Sequence, residues 1–128
     1  MNTAEGRPRF TPRNPGFAAN VRESFARQSV MRLIGAALTR VEPGEVAIEL
    51  PYRADLTQQD GYFHAGIVTT IADSAGGYAG YTLMPAGSRV LSVEFTIHCL
   101  APADGERLVA TGRVVKSGRT LTVCELEA

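Results

Sequence analysis

The feature that most constrains this chain is the stretch from Ala65 to Thr82, AGIVTTIADSAGGYAGYT. Ile67, Val68, Ile71, Ala72, Ala75, Tyr78, Ala79 and Tyr81 recur at helical spacing but fall on every side of the helix, and Gly66, Gly76, Gly77 and Gly80 interrupt them. An interior glycine costs about 1 kcal/mol relative to alanine. A helix that is apolar all round is unstable in water by itself. The pattern therefore predicts a helix over residues 65 to 82 that is buried, its small residues letting a sheet or a second helix come close. Asp73 is the only strongly polar residue in its first two and a half turns.

The rest of the chain supplies the burial. Residues 1 to 16, with Pro8, Pro12, Pro15, Arg7, Arg9 and Arg13, read as a flexible tail. Asn20 and Glu23 have capping-box spacing, and Val21, Phe25, Gln28 and Arg32 follow at helical intervals, which predicts a helix over 20 to 33 stopped near Gly35. Strands are expected at 36 to 42 and 45 to 50, joined by a Pro43-Gly44 turn; Val46, Ile48 and Leu50 alternate with Ala47 and Glu49. Residues 51 to 64 read as a loop. Beyond the long helix, residues 89 to 99 alternate Leu91, Val93, Phe95, Ile97 and Cys99 with Ser92, Glu94, Thr96 and His98, as a strand would. Further strands are expected at 106 to 116 and 119 to 127, with Lys116-Ser117-Gly118-Arg119 as their turn. The order α, β-β, long α, β-β-β is an α+β pattern in which an antiparallel sheet covers the helix.

Composition narrows the function classes. The 128 residues suit one domain, and 45% hydrophobic residues are enough for a core. The 13 basic and 13 acidic side chains cancel, so no electrostatic footprint for nucleic acid or an anionic membrane surface is present. No stretch has the length of a membrane span or the form of a signal peptide. Cys99 and Cys124 sit in apolar runs and read as two buried free thiols in a reducing, cytoplasmic setting. Two histidines and two cysteines at these separations match no metal-ligand spacing, so neither a metal nor another cofactor is expected.

The segment GYFHAGIVTTIADSAGG, the stretch LSVEFTIHCLAPADGE and the turn KSGRTLTV, in this order of elements, resemble the hotdog-fold thioesterases of the phenylacetic-acid-degradation (PaaI-like) type over residues 20 to 127. The resemblance implies a sheet wrapped round a long central helix, hydrolysis of aryl-acetyl or medium-chain acyl-CoA to free acid and CoA, no metal, and homodimers paired into homotetramers with each site shared between subunits. The family commonly carries His-Gly-Gly where this chain has His64-Ala65-Gly66. It also continues with one more strand, often Gly-x-x-x-Val-Ala-x-Ala, where this chain ends at Ala128. The domain at 17 to 128 is therefore either shortened or a sheet without its edge strand. Two other readings share the fold: a hydratase or dehydratase, which would place a proline after the loop histidine, and a non-catalytic acyl-CoA binding module.

Thioester hydrolysis needs a polarised carbonyl, an activated water and a place for negative charge. Asp73 is the candidate general base or nucleophile. The N–H groups of Ala65 and Gly66 open the long helix at the positive end of its dipole and suit an oxyanion. His64 is either the helix cap or a thioester contact. The resemblance adds Gln58, with Gln59 beside it, as an orienting amide, and Ser92 as a holder of the attacking water, although alternation puts Ser92 on the strand face away from the core. Arg89, Lys116 and Arg119 are candidate contacts for CoA phosphates. Tyr62, Phe63, Tyr78, Tyr81 and Met84 are candidate linings for an acyl pocket.

Overall fold

The computed structural model describes residues 6–128. Two short helices, α1 (Phe17–Arg27) and α2 (Ser29–Ile34), precede strands β1 (Ala37–Glu42) and β2 (Glu45–Pro51). A single 3-10 turn (Ala54–Leu56), the long helix α3 (Ala65–Tyr81) and strands β3 (Arg107–Ser117) and β4 (Thr122–Glu127) follow. The strands form one antiparallel sheet in the order β1-β2-β3-β4. Helix α3 lies across it, packed on β2, β3 and β4. This is the α+β hotdog arrangement that the sequence pattern and its resemblance implied.

Alternation does most of the work on the sheet. Val46, Ile48 and Leu50 of β2 are fully buried, and Leu108, Ala110, Gly112 and Val114 of β3 turn the same way. Fully burying an Ile or Leu side chain stabilises by about 1.5–3 kcal/mol. The outward positions are tied by cross-strand ion pairs, Arg113 with Glu45 at 2.9 Å and Arg107 with Glu49 at 3.1 Å. The Pro43-Gly44 turn is pinned twice. Gly44, with φ at 76°, donates its N–H to the buried Thr82 hydroxyl at 2.7 Å, and its carbonyl accepts from Val114 N–H at 2.8 Å. Phe10 covers this turn so closely that a Cβ on Gly44 would meet its ring at 2.6 Å.

The small residues of α3 do what the sequence required of them. A Cβ on Gly112 would run into the Ala75 carbonyl, and a Cβ on Gly76 would run into a Leu126 methyl carbon. Ala72, Ala75, Gly76, Ala79 and Gly80 thus form the face pressed on the sheet. Ala65, Thr69, Asp73 and Gly77, spaced by four, form a stripe on another side. Thr69 and Thr70 donate their hydroxyls back to the carbonyls of Ala65 and Gly66, both at 2.8 Å.

Five expectations are corrected. The first helix starts at Phe17, with Gly16 as its cap and no side-chain capping bond, so the Asn20–Glu23 box is not used. It also breaks at Gln28, whose ψ of 97° is extended, into two helices. Residues 89 to 99 join no ladder: a strand needs a hydrogen-bonding neighbour, and the sheet ends at β4. Leu91 and Val93 are accordingly 88% and 79% exposed. Cys99, in that segment, is exposed rather than buried, whereas Cys124 is half-buried and in contact with the Gly76 carbonyl at 3.4 Å. The last turn closes slightly later than expected, with Gly118 N–H donating to the Leu121 carbonyl.

Candidate active site

The start of α3 is built by its preceding loop. His64 is extended, with φ −63° and ψ 136°, and acts as N-cap: its Nδ1 accepts from Gly66 N–H at 2.9 Å. Of the two amides that open the helix, Gly66's is therefore spent on His64. Ala65 N–H has no partner among the described residues and remains the open donor. No described non-glycine residue has positive φ, so alanine at 65 presents its amide as glycine would. With Nδ1 accepting, the proton of a neutral His64 ring sits on Nε2, at the exposed end of the side chain.

Gln58 is fixed within the loop. Its Oε1 accepts from Asp60 N–H at 2.6 Å and Tyr62 N–H at 3.2 Å, and its backbone N–H donates to the Tyr62 carbonyl at 2.9 Å. Its amide nitrogen is left without a protein partner among the described residues. Gln59 instead reaches the exposed Asp60 at 3.3 Å. Phe63 is 2% exposed and packs edge-on against Tyr52 at 5.5 Å, so it is core as well as wall. Tyr62 stands at the rim.

Asp73 is half-buried on α3, and Ser92 donates to its Oδ1 at 2.6 Å. A charge-assisted hydrogen bond of this length holds the carboxylate in one orientation and leaves Oδ2 for a second partner. The contact places Ser92 against α3 although its segment joins no sheet ladder. Gln58, Tyr62, Phe63, Ala65 and Asp73 line one open cleft of about 1100 Å³, whose far wall is residues 95 to 104. Within one chain the cleft does not bring the helix start to the carboxylate. Eight residues at 1.5 Å rise place Asp73 about 12 Å from Ala65 along the axis, too far for both to reach one thioester carbonyl.

The candidate phosphate contacts lie apart from this cleft. Arg89, Lys116 and Arg119 are all exposed and carry no ion pair among the described residues. Lys116 and Arg119 flank the β3–β4 turn, and β4 begins beside Gly80, at the opposite end of α3 from Ala65. Among the described residues no group of three or more His, Cys, Asp or Glu is arranged to hold a metal ion, and no helix is long and apolar enough to cross a membrane.

Sequence reasoning missed a polar cluster next to Asp73. Gln28, at the break between α1 and α2, donates to the Tyr78 hydroxyl at 2.9 Å and accepts from Ser74 at 3.1 Å; Ser24 lies 3.2 Å from the same hydroxyl. Gln28 was legible only as one position of a helical stripe. The signal was a polar side chain on the inward face of a helix that must pack on α3.

A sheet wrapped round a long, glycine-rich helix defines a hotdog protein. Comparison with known proteins settles the family. The model of the thioesterase superfamily matches residues 60–128. Human acyl-coenzyme A thioesterase 13 is 30% identical over 98 residues, 75% of this chain and 69% of its own length. The crystal structure of a thioesterase family protein from Silicibacter pomeroyi is 51% identical and superposes with a TM-score of 0.85, over 87% of this chain and 82% of that one. PaaI of Escherichia coli, at 20% identity, shares the fold with a TM-score of 0.76 over 86% of this chain and 78% of its own. The chain belongs to the thioesterase superfamily and is a thioester hydrolase.

Proposed function

We propose that the substrate is an acyl-CoA, of aryl-acetyl or medium-chain acyl type, released as free acid and CoA. The observation that carries this reading is the Ser92-held carboxylate of Asp73 in the same cleft as the open Ala65 amide. The acyl-CoA activity of the human relative supports the choice of substrate.

The distance between the two groups sets the rest. If two copies pack their α3 helices antiparallel about an axis near Thr69, the midpoint of residues 65 and 73, each Asp73 falls beside the other copy's Ala65. A thioester bound there has its carbonyl oxygen at the Ala65 N–H, with His64 Nε2 and the Gln58 amide as further donors. Asp73 of the other copy takes a proton from water as the water oxygen bonds to the carbonyl carbon. The oxyanion collapses, the C–S bond breaks, and the CoA sulfur leaves with the proton that Asp73 holds. Direct attack by Asp73, through an acyl-carboxylate anhydride hydrolysed in a second step, uses the same geometry. A pre-aligned donor at the oxyanion is worth about a hundred- to a thousand-fold in rate, and a positioned base about a hundred- to ten-thousand-fold. Arg89, Lys116 and Arg119 are exposed cations suited to the CoA phosphates, and pairing of dimers into a tetramer follows the family pattern.

A panel of acyl-CoAs read with a free-thiol reagent tests this. Wild type should release CoA from at least one aryl-acetyl or medium-chain ester. Absence of release from every ester, with binding retained, would make the chain a binding module.

A further inference from the structure

Asp73 stands between two cavities. It is the one described residue that lines both the cleft and a smaller space of about 460 Å³, which runs along α3 between the α1–α2 break and residues 90 to 92. Ser92 lines only the smaller one, so the 2.6 Å hydrogen bond that orients the carboxylate comes from that side. The two spaces differ in chemistry. The cleft has Phe63, Val68, Phe95, Ile97 and Leu126 in its walls. The smaller space sets Ser24, Gln28, Ser74, Tyr78 and Ser92 around Asp73, and the exposed Arg27 and Leu91 flank its opening to solvent.

The polar walls have hydrogen-bonding capacity to spare. The Gln28 amide nitrogen has two hydrogens and uses one, on Tyr78 Oη at 2.9 Å. The 3.2 Å contact between Tyr78 and Ser24 takes a hydrogen from one hydroxyl and leaves the pair one more. Gln28 Oε1 accepts from Ser74 at 3.1 Å and keeps a second lone pair. An ordered water needs about two to four such partners, whereas a hydrocarbon group would strip them of water and return nothing. Against roughly 30 Å³ per molecule in liquid water, the space has room for a chain of several waters. That chain ends beside the carboxylate: Ser74 follows Asp73 directly, and Tyr78 lies five residues on, about 7.5 Å along the axis.

Hydrolysis consumes one water per turnover, and an acyl-CoA in the cleft covers Asp73 from the side on which the ester binds. The attacking water must then be held and replaced from the polar side. We propose that the smaller cavity is the water entry of the enzyme and that Gln28 is a positioning residue, holding the chain of waters that leads to Asp73. This rests on the general-base reading of Asp73 above and adds the route of its second substrate. Water enters on one side of the carboxylate, gives its proton to Asp73 and its oxygen to the carbonyl carbon, and the acid and CoA leave through the cleft. In a shared site each chain waters the base that it lends to the other copy.

Gly77, which also lines this space, allows it to be filled without disturbing the helix: an added Cβ meets nothing within 4 Å, and leucine is the better helix former. Gly77→Leu should keep the wild-type melting temperature or exceed it. It should lower kcat by about tenfold or more for every acyl-CoA that the wild type hydrolyses, whatever the acyl length. Placed on Asp73→Asn, it should leave the Kd values of acetyl-, hexanoyl- and phenylacetyl-CoA unchanged by calorimetry. Gln28→Leu, across the cavity, should show the same split between kcat and Kd, and carries the test should Gly77→Leu not fold. The double variant should be no slower than the slower single one, because both obstruct one route. An unchanged kcat in folded Gly77→Leu overturns the water entry. So does binding that weakens with acyl length, which would give the cavity to the ester, and so do losses that multiply in the double variant. The base reading fails separately, if Asp73→Asn keeps most of its kcat.

Discussion

The proposed shared site requires that neither half works alone in its own chain, and two inactive variants can test it by repairing each other. Ala65→Pro removes the open amide at the start of α3. The position tolerates proline unusually well: it is the first helical residue, where proline's fixed φ is favoured, and His64 before it is already extended at ψ 136°. Asp73→Asn is nearly isosteric and still accepts from Ser92 through its amide oxygen, but cannot take a proton. Each variant should lose about two to three orders of magnitude in kcat while keeping its fold. When the two are unfolded together in equal amounts and refolded, random pairing makes about half of the dimers mixed. In a mixed dimer one site has the intact Ala65 of one copy and the intact Asp73 of the other, and the second site has neither. Thioesterase activity should therefore return to about a quarter of the wild-type value, read as CoA release against the unmixed variants. An arrangement within one chain predicts no recovery, since no chain then carries both groups. A mixture that stays at the level of the separate variants, with mixed dimers shown by mass spectrometry, refutes the shared site and the antiparallel placement of α3 with it.

Two other outcomes follow from packing and titration. Gly112→Ala would press a Cβ against the Ala75 carbonyl and Gly76 nitrogen, backbone atoms that cannot rotate away; the cost should be about 3 kcal/mol, lowering the melting temperature by roughly 10 °C, and a wild-type melting curve would contradict the close approach of α3 to β3. Burial pushes the Cys124 thiol above its ordinary value of 9.0, against a smaller opposing pull from a backbone hydrogen bond at Gly80. A raised pKa means the unfolded chain loses this proton first, so the stability linked to it is intact below about pH 9 and falls as pH rises further. Urea unfolding should show a shallower alkaline loss in Cys124→Ala than in wild type, and parallel profiles would count against the burial.

What could be read from the chain was whatever a single segment dictates by itself. The glycine and alanine spacing of α3 required a sheet against one face, and Gly112, Leu126 and Thr122 meet it there. The alternation of β2 fixed which side chains point inward. The turn at Pro43-Gly44 needed only a residue free to take positive φ. Readings failed where a second partner decides. Alternation over residues 89 to 99 specifies two faces but not a neighbour, and Leu91 and Val93 are left in solvent without one. Asn20 and Glu23 have the spacing of a cap, but Gly16 and the turn at Asn14 start the helix earlier. The same distinction runs through the site. His64, Ala65 and Asp73 were legible because a helix start and a lone acid on an apolar helix are local patterns. Gln28 was not, because its meaning lies in Ser74 and Tyr78, 46 and 50 residues away. The 12 Å between Ala65 and Asp73 was already contained in their spacing. That distance is why the proposed site draws on two chains, a local motif supplying each half and assembly bringing the halves within reach of one carbonyl.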